Sequence, residues 1–270
     1  MTNDLRTVQA ELLLPHEIGA ALDDRSVAYL PLGSIEFHSA HLPIGLDGLT
    51  AHGVCLRAAA RSGGIVLPPL FYCVGGGHTS YPWTIMASSD SPIRDLLQQS
   101  FNRLRDFAVK TAVLFTGHFS DEQLELIDDI GDRWNATNSG MRVLSLSVNR
   151  AEAHVAPDHA GVFETSLLSA MWADRVQLQQ LPSLQQEPSN DPDGDVRGNH
   201  RHDPAHPLYG VFGPDPRSFD PGKAGELLEE IVEWTIDQVA HADPSETHPA
   251  PDARGTGLPT PNISGDRSRK

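Results

Sequence analysis

The sequence predicts an α/β fold in which helices cover both faces of a mostly parallel sheet. Two observations support this prediction: four short apolar runs have the length of buried strands, and amphipathic helical patterns lie between them. Strands that alternate with helices are typical of parallel sheets, because parallel neighbours need a crossover connection. At 270 residues the chain is long enough for one large α/β domain or two small ones. It contains no internal repeat.

The strand-like runs end in Gly, Pro or polar residues, whereas the helical patterns repeat apolar residues every three or four positions. The predicted strands are residues 27–33, 65–70, 112–116 and 143–148. The predicted helices are residues 50–61, 92–109, 122–134, 161–176 and 221–240. Ser91 before Pro92 predicts an N-cap that is followed by proline at the first helical position.

Composition and charge exclude several function classes. The formal net charge is −16, which disfavours a general binder of nucleic acid or anionic membranes because phosphate would be repelled. No apolar run approaches the roughly 20 residues that span a bilayer, and residues 1–5 lack the layout of a signal peptide. Cys55 and Cys73 are too few for a disulfide framework, so we expect two reduced, buried thiols in a cytoplasmic protein.

Two segments depart from the α/β pattern. Residues 183–220 are polar and rich in Pro and Gly, which predicts an insert or loop; residues 243–270 bury too little apolar surface to fold and predict a disordered tail. A single domain over residues 1–242 is therefore expected. The insert contains three histidines that resemble a loose metal-binding cluster, although a solvated loop is the favoured interpretation. These are His200, His202 and His206.

Polar side chains concentrate where the predicted strands end. Six of them follow the first, third and fourth strands: Glu36, His38, Asp47, His118, His159 and Glu164. Open α/β sheets bind ligands in the crevice beyond the carboxyl ends of their strands, so these loops should converge on one cavity. Histidine and carboxylate ligands without thiolates suit Zn²⁺, Mn²⁺ or Fe²⁺. Two such ions would activate a water for hydrolysis.

The stretch GSIEFHSAHLPIGLD, residues 33–47, resembles the signature G-S-x-E-x-H-G-x-H-L-P-x-x-x-D of the creatininase (creatinine amidohydrolase) family. The likeness continues in the same order through GGGHTSYPWT, TGH, DHAGVFETS and YGVFGPDP, and covers residues 30–240. The resemblance implies a three-layer αβα sandwich, usually hexameric. It also implies a two-metal site that hydrolyses cyclic or linear amide C–N bonds of a small-molecule substrate.

The resemblance also implies roles for individual residues. Four fall on metal-ligand positions, with Asp47 as the bridging carboxylate: Glu36, His38, Asp47 and His118. True creatininases carry a Glu two residues after the histidine matched by His118, where this chain has Ser120. Glu164 is therefore assigned as the fifth ligand. One ion would lie among Glu36, Asp47 and His118, and the other among His38, Asp47 and Glu164.

Catalytic positions follow from the same resemblance, and loop residues near the strand ends are candidates for substrate contact. His159 and Glu164 are the predicted catalytic residues, and His159 would donate a proton to the departing nitrogen. Five positions are predicted to contact substrate: His78, Tyr81, Trp83, Phe119 and Ser120. For the first three, packing beneath a loop is an open alternative.

The departures from true creatininases disfavour creatinine itself as the substrate. Phe119 lacks the hydroxyl that Tyr would offer, and the Trp that true creatininases place just before the H-A-G block has no counterpart near His159. The prediction is a divergent family member that hydrolyses C–N bonds other than peptide bonds. A lactone or cyclic ester hydrolase is one alternative. A degenerate member that binds a ligand or organises a hexamer without turnover is the other.

Three further polar residues receive structural interpretations. His41 is expected to be a structural histidine, and Ser34 a turn residue. Asp158 precedes a predicted helix, so capping is its default role, with orientation of His159 as the alternative.

Overall fold

A four-stranded parallel sheet forms the centre of the computed structural model, which describes residues 4–242. The predicted tail at residues 243–270 lies outside the described residues. The strand order is β2-β1-β3-β4. The strands are β1 (Val27–Leu32), β2 (Ile65–Val66), β3 (Thr111–Thr116) and β4 (Arg142–Ser147).

All four predicted strands are present, and the second is shorter than expected. The ladder between β1 and β2 pairs Ala28 with Ile65 and Tyr29 with Val66. Pro68 and Pro69 then interrupt it because proline has no backbone N–H to donate. Beyond the interruption, the N–H of Leu70 donates to the carbonyl of Pro31 at 3.0 Å.

Six α-helices surround this sheet within residues 4–242. They are α1 (Pro15–Asp24), α2 (Leu46–Ser62), α3 (Ser91–Asp106), α4 (Asp121–Ala136), α5 (Val162–Trp172) and α6 (Ala224–Ala242). The first was not predicted; it is a short helix with Pro15 in its first turn and a capping bond from the N–H of Leu14 to Glu17 Oε2 at 2.7 Å. Asp90, rather than Ser91, is the N-cap residue of α3.

The start of α2 is the difference that matters for function. The apolar pattern predicted a helix from residue 50, but α2 begins at Leu46. Asp47 therefore lies in the first helical turn and not in a preceding loop. Its carboxylate is held by helix geometry relative to the end of β1.

The two faces of the sheet pack against different helices. One hydrophobic cluster joins Tyr29, Val113 and Phe115 to buried residues of α2, α5 and α6. A second cluster joins Leu30 and Leu114 to buried residues of α3 and α4. Successive strand residues point to opposite faces of a sheet, so the same strands supply both clusters. The predicted three-layer αβα sandwich is confirmed.

The polar segment at residues 183–220 is folded onto the domain. Leu208 and Val211 are buried in a third hydrophobic cluster together with Leu42 and Leu46. The side chains of His200 and His206 are only 24% and 11% exposed. The interpretation of this region as a solvated loop is therefore wrong for these two histidines, and holds only for His202, which is exposed. Within residues 4–242 no helix is both long and apolar enough to cross a membrane.

Candidate metal centre

Close contact between the end of β1 and the start of α2 brings the first carboxylates together. A Cβ atom on Gly33 would lie 2.0 Å from the backbone nitrogen of Gly48, and one on Gly117 would lie 2.1 Å from the carbonyl oxygen of Asp47. Only glycine permits such an approach. The first turn of α2 can therefore sit directly against the ends of β1 and β3, and Asp47 lies at their meeting point.

Two groups of ligand-type atoms form around Asp47. In the first group, His118 Nδ1 lies 3.0 Å from Glu36 Oε2 and 3.3 Å from Asp47 Oδ2. In the second, His38 Nε2 lies 3.2 Å from Asp47 Oδ1 and 3.5 Å from Glu164 Oε2. Within each group the candidate ligand atoms lie within 4.8 Å of one another. Asp47 thus presents one oxygen to each group, as a carboxylate that bridges two cations would.

Backbone carbonyls determine which ring nitrogens can ligate. His38 Nδ1 donates to the carbonyl of Glu36 at 3.0 Å, and His118 Nε2 donates to the carbonyl of Val74 at 3.2 Å. The opposite nitrogens, which face Asp47, are then left with lone pairs in the neutral rings. His38 Nε2 is buried and makes no hydrogen bond within the described residues. A lone pair aimed at carboxylate oxygens requires a cation, so the donor set fits divalent metal ions.

The pKa shifts of the histidines also indicate that positive charge is favoured among these side chains. Burial alone lowers the pKa of His118, but contacts with Asp47 and Glu36 outweigh it and raise that pKa to about 10. Burial likewise opposes a rise at His38, yet the charges of Asp47 and Glu164 hold its pKa well above the ordinary value. Burial raises the pKa of Glu164. A proton or a metal ion is therefore strongly favoured between these side chains.

A cavity of about 160 Å³ opens over these groups. Its lining includes no Lys or Arg, so no fixed cation from residues 4–242 balances the carboxylates there. The lining residues are Glu36, His38, Asp47, Gly76, His78, His118, Phe119, Ser120, His159 and Glu164. All six residues predicted from the strand ends therefore face one cavity.

His159 lies beside the metal-ligand candidates rather than inside either group around Asp47. Its ring stacks on His38 with centroids 4.4 Å apart, and its Nε2 donates to the carbonyl of Phe37 at 3.1 Å. Burial, reinforced by the charge of His38, lowers the pKa of His159 to about 3. The ring is consequently neutral, with the proton on Nε2 and a lone pair on Nδ1.

The first turn of α5 positions Glu164. Asp158 accepts hydrogen bonds from the backbone N–H groups of Gly161 and Phe163 at 3.0 and 2.9 Å. Its side chain thus caps the first turn of α5, as predicted, although the N-cap residue itself is Gly161. Glu164 Oε2 also accepts the N–H of Ala160 at 2.6 Å, which orients this carboxylate toward His38.

The five predicted substrate contacts separate into two sets. His78, Phe119 and Ser120 line the cavity, and His78 Nδ1 donates to Glu36 Oε1 at 2.5 Å. Tyr81 and Trp83 do not line it. Tyr81 is buried and its ring stacks on Phe37, which matches the alternative of packing beneath a loop. Trp83 is 79% exposed.

Besides lining the cavity, Ser120 is linked to His118 by a shared hydrogen-bond acceptor. Its hydroxyl accepts the N–H of Gln123 at 3.3 Å, which caps α4, and donates to the carbonyl of Val74 at 3.1 Å. The same carbonyl accepts the His118 ring N–H. Ser120 therefore supports the orientation of His118 through a shared backbone oxygen.

Sequence reasoning missed the part that Ser34 plays. It is fully buried, and its hydroxyl donates to Asp47 and to Glu36 Oε2, the latter at 3.2 Å. The interpretation as a turn residue is therefore wrong. Its spacing of two residues from Glu36 was the available signal, because alternate residues of an extended segment share a side. His41 behaves as expected of a structural histidine: its Nε2 contacts Thr165 Oγ1 at 3.0 Å behind the site.

Comparison with known proteins assigns the family. The family model described as Creatinine amidohydrolase matches residues 12–239. The chain belongs to the creatininase family. The expectation from residues 33–47 is thereby confirmed.

Individual creatininase relatives share about a quarter of the sequence. The chain is 28% identical to the creatinine amidohydrolase of Pseudomonas putida over 239 residues, which cover 76% of this chain and 85% of that protein. It is also 28% identical to the mycofactocin precursor peptide peptidase of Mycolicibacterium smegmatis (strain ATCC 700084 / mc(2)155) over 158 residues, 56% of this chain and 60% of that protein. These identities mark a divergent creatininase-family member.

Solved creatininase structures share the fold. A crystal structure of creatinine amidohydrolase (creatininase) matches with a TM-score of 0.67 at 26% identity, covering 88% of this chain and 98% of that one. Creatininase structures described as the Mn form and as a mutant of Zn-Zn type match with TM-scores of 0.67 and 0.68, at 25% and 26% identity. They cover 88% of this chain and 99% and 98% of those chains, respectively.

Proposed function

We propose that this creatininase-family chain is a metal-dependent amidohydrolase that cleaves a cyclic or linear amide C–N bond of a small molecule with a metal-activated water. One observation carries the proposal. Asp47 presents its two carboxylate oxygens to two separate groups, each of which contains a histidine whose lone pair faces Asp47. This arrangement of donor atoms supports a site for two ions.

The proposed ligands divide as the geometry suggests. Glu36, Asp47 and His118 would hold one divalent ion, and His38, Asp47 and Glu164 the other. Zn²⁺ and Mn²⁺ suit these nitrogen and oxygen donors, as does Fe²⁺. When bound, such ions polarise a carbonyl and lower the pKa of water into the neutral range.

His159 would handle the proton during hydrolysis. The water oxygen bonds to the amide carbon, the C–N bond breaks, and the departing nitrogen takes up a proton. Because Nε2 of His159 already donates to the Phe37 carbonyl, Nδ1 is the nitrogen that would accept a proton from the attacking water and deliver it to the departing nitrogen. Its stacking on His38 would keep the ring beside the metal-activated water.

The cavity favours a compact substrate. Its volume of about 160 Å³ is below the roughly 300 Å³ at which drug-sized pockets begin. His78, Phe119 and Ser120 would contact the bound molecule. Family membership also supports a homo-hexamer in the cytoplasm, which light scattering after gel filtration and fractionation of the cells would test.

The deciding experiment combines metal analysis with a substrate panel. Protein loaded with zinc or manganese would be assayed against small cyclic amides, linear amides, lactones and short peptides. We expect close to two ions per chain and hydrolysis of an amide. Exclusive cleavage of lactones would replace the amidohydrolase with an ester hydrolase. Absence of bound metal after metal-replete expression would favour a ligand-binding member without turnover.

A further inference from the structure

Residues 210–213 of the polar segment lie directly against the candidate metal centre. The N–H of His159 donates to the carbonyl of Phe212 at 3.1 Å, and the N–H of Phe212 donates to the carbonyl of His159 at 2.8 Å. The Phe212 ring also stacks on His78, with centroids 5.4 Å apart and an interplanar angle of 18°. Phe212 therefore contacts two of the histidines that line the cavity, His159 through its backbone and His78 through its ring.

Arg201 fixes the backbone of residues 210–211 by hydrogen bonds. Its side chain is fully buried, and its Nη1 donates to the carbonyl of Val211 at 3.1 Å. Its own carbonyl accepts the N–H of Gly210 at 2.9 Å. These two bonds fix the two residues that immediately precede Phe212.

Asp191 in turn orients Arg201. Arg201 Nε and Nη2 donate to Asp191 Oδ1 and Oδ2 at 2.6 and 2.7 Å. This is a bidentate ion pair, which lysine cannot form. The Asp191 side chain is only 7% exposed. In so buried a pair, loss of one partner leaves the other charge without compensation, which is strongly destabilising. The pair is thus a rigid attachment of the segment.

We propose that Arg201, oriented by Asp191, is a positioning residue for the metal centre: it holds the backbone at residues 210–212, and through that backbone His159 and the Phe212 ring. Arg201 is not among the residues that line the cavity, so it acts through Phe212. The part that His159 plays in hydrolysis rests on the proposed function. The coupling from Arg201 to His159 is a property of the fold and can be measured independently.

Arg217 provides a matched control within the same segment. Its side chain is 6% exposed, and it pairs with Asp215 in the same bidentate manner at 3.0 and 2.7 Å. Its remaining bonds go to the carbonyls of Pro182 and Glu187, away from His159. Arg217→Met therefore removes an equivalent ion pair without touching the backbone at Phe212.

Hydrogen exchange resolved by mass spectrometry would compare zinc-loaded wild type, Arg201→Met and Arg217→Met. In Arg201→Met we expect the amides of His159 and Phe212 to exchange at least about tenfold faster, as loss of a charge-assisted hydrogen bond predicts. Zinc per chain should not change. On the amide substrate found in the panel, kcat should fall while KM stays within about twofold, because positioning of the proton carrier affects the chemical step. Arg217→Met should match wild type at both amides.

Unchanged exchange at His159 and Phe212 in folded Arg201→Met, or an equal rise in Arg217→Met, would overturn the positioning role. If Arg201→Met does not fold, Arg201→Lys is measured with the same two outcomes, because lysine keeps the charge but loses the bidentate pairing. A wild type that binds no zinc would refute the proposed function. The exchange comparison between the variants would still decide the role of Arg201.

Discussion

Two clusters in this molecule place histidine nitrogens close to an aspartate, one around Asp47 and the other around Asp191. In both clusters the candidate ligand atoms lie within 4.8 Å of one another. Both contain two histidines; the residues around Asp47 are buried, and those around Asp191 are partly buried. Distance alone does not distinguish them.

The groups behind the imidazole rings do distinguish them. Around Asp47, backbone carbonyls accept the far N–H of His38 and His118, so lone pairs face the carboxylate. Around Asp191 the far nitrogen of His206 accepts the N–H of Leu208 at 3.1 Å. The neutral ring of His206 then carries its proton on Nε2, the nitrogen that lies 3.9 Å from Asp191 Oδ1.

The two clusters also differ in the positive charge that surrounds the aspartate. Arg201 supplies Asp191 with a permanent positive charge at 2.6 Å, whereas no Lys or Arg lines the cavity around Asp47. Asp191 is therefore neutralised by a permanent cation and needs no metal, while Asp47 faces ring nitrogens that must take up either a proton or a metal ion. The backbone group behind each ring, rather than proximity of His and Asp, decides whether a cluster can bind metal.

The largest expected effect comes from Asp47→Ala, which removes the carboxylate shared by both groups. We expect neither ion to be retained and hydrolysis to fall by about a thousandfold or more, since metal ions supply several kcal/mol of transition-state stabilisation. Elemental analysis and kcat/KM measure both effects. A variant that binds two ions as wild type does would contradict the bridging arrangement.

Ser34→Ala tests the support beneath that carboxylate. The change deletes the hydroxyl that donates to Asp47 and Glu36, and loss of such outer hydrogen bonds weakens metal affinity by about 10- to 100-fold. Zinc affinity would be measured by competition with a chromophoric chelator. Ser100→Ala is the control, because Ser100 Oγ bonds only to the carbonyl of Leu96 on the exposed face of α3. Equal affinities in the two variants would show that Ser34 does not orient the ligands.

The pH dependence of zinc binding sharpens the comparison further. In metal-free protein the Asp47 and Glu36 carboxylates raise the pKa of His118 to about 10, against the effect of burial, so at neutral pH a proton occupies the nitrogen that must bind metal. Zinc has to displace that proton, and its affinity should rise about tenfold per pH unit for each proton displaced. Titration calorimetry at two pH values about one unit apart, near neutrality, measures how zinc affinity changes with pH. An affinity independent of pH would contradict lone-pair ligation by His118.

The smallest effect is expected at the second cluster. The double change His200→Ala and His206→Ala should leave the number of bound ions unchanged, because Asp191 remains paired with Arg201. Elemental analysis of zinc-loaded protein checks this directly. Loss of one ion per chain would break the distinction drawn between the two clusters.

Much of the site could be predicted because its residues follow strand ends. Glu36, His118 and His159 each come shortly after a strand-like run, and parallel strands end at the same edge of a sheet, so their convergence required no knowledge of packing. Asp47 was placed at the right point in sequence but in the wrong local structure. The apolar pattern of α2 becomes regular only after residue 50, whereas its first turn is stabilised by packing of Leu46 in the third hydrophobic cluster.

The substrate-binding predictions illustrate the opposite case. His78 and Tyr81 lie three residues apart, yet only His78 lines the cavity. Tyr81 instead bonds through its hydroxyl to His202 Nδ1 at 2.6 Å, a residue of the polar segment. No local pattern could indicate that partner, because the path of residues 183–220 depends on a buried ion pair and on apolar contacts with distant helices.

The sequence by itself determined the layers of the fold and the donor types at the strand ends, since both follow from local periodicity and residue identity. The tertiary structure decided which ring nitrogens carry protons. His118 is fixed by the carbonyl of Val74, which lies 44 residues earlier in the chain, and His206 by a backbone N–H two residues later. Protonation depends on the group that each ring meets after folding, so the same residue types form a candidate metal centre around Asp47 and an ion-pair attachment around Asp191.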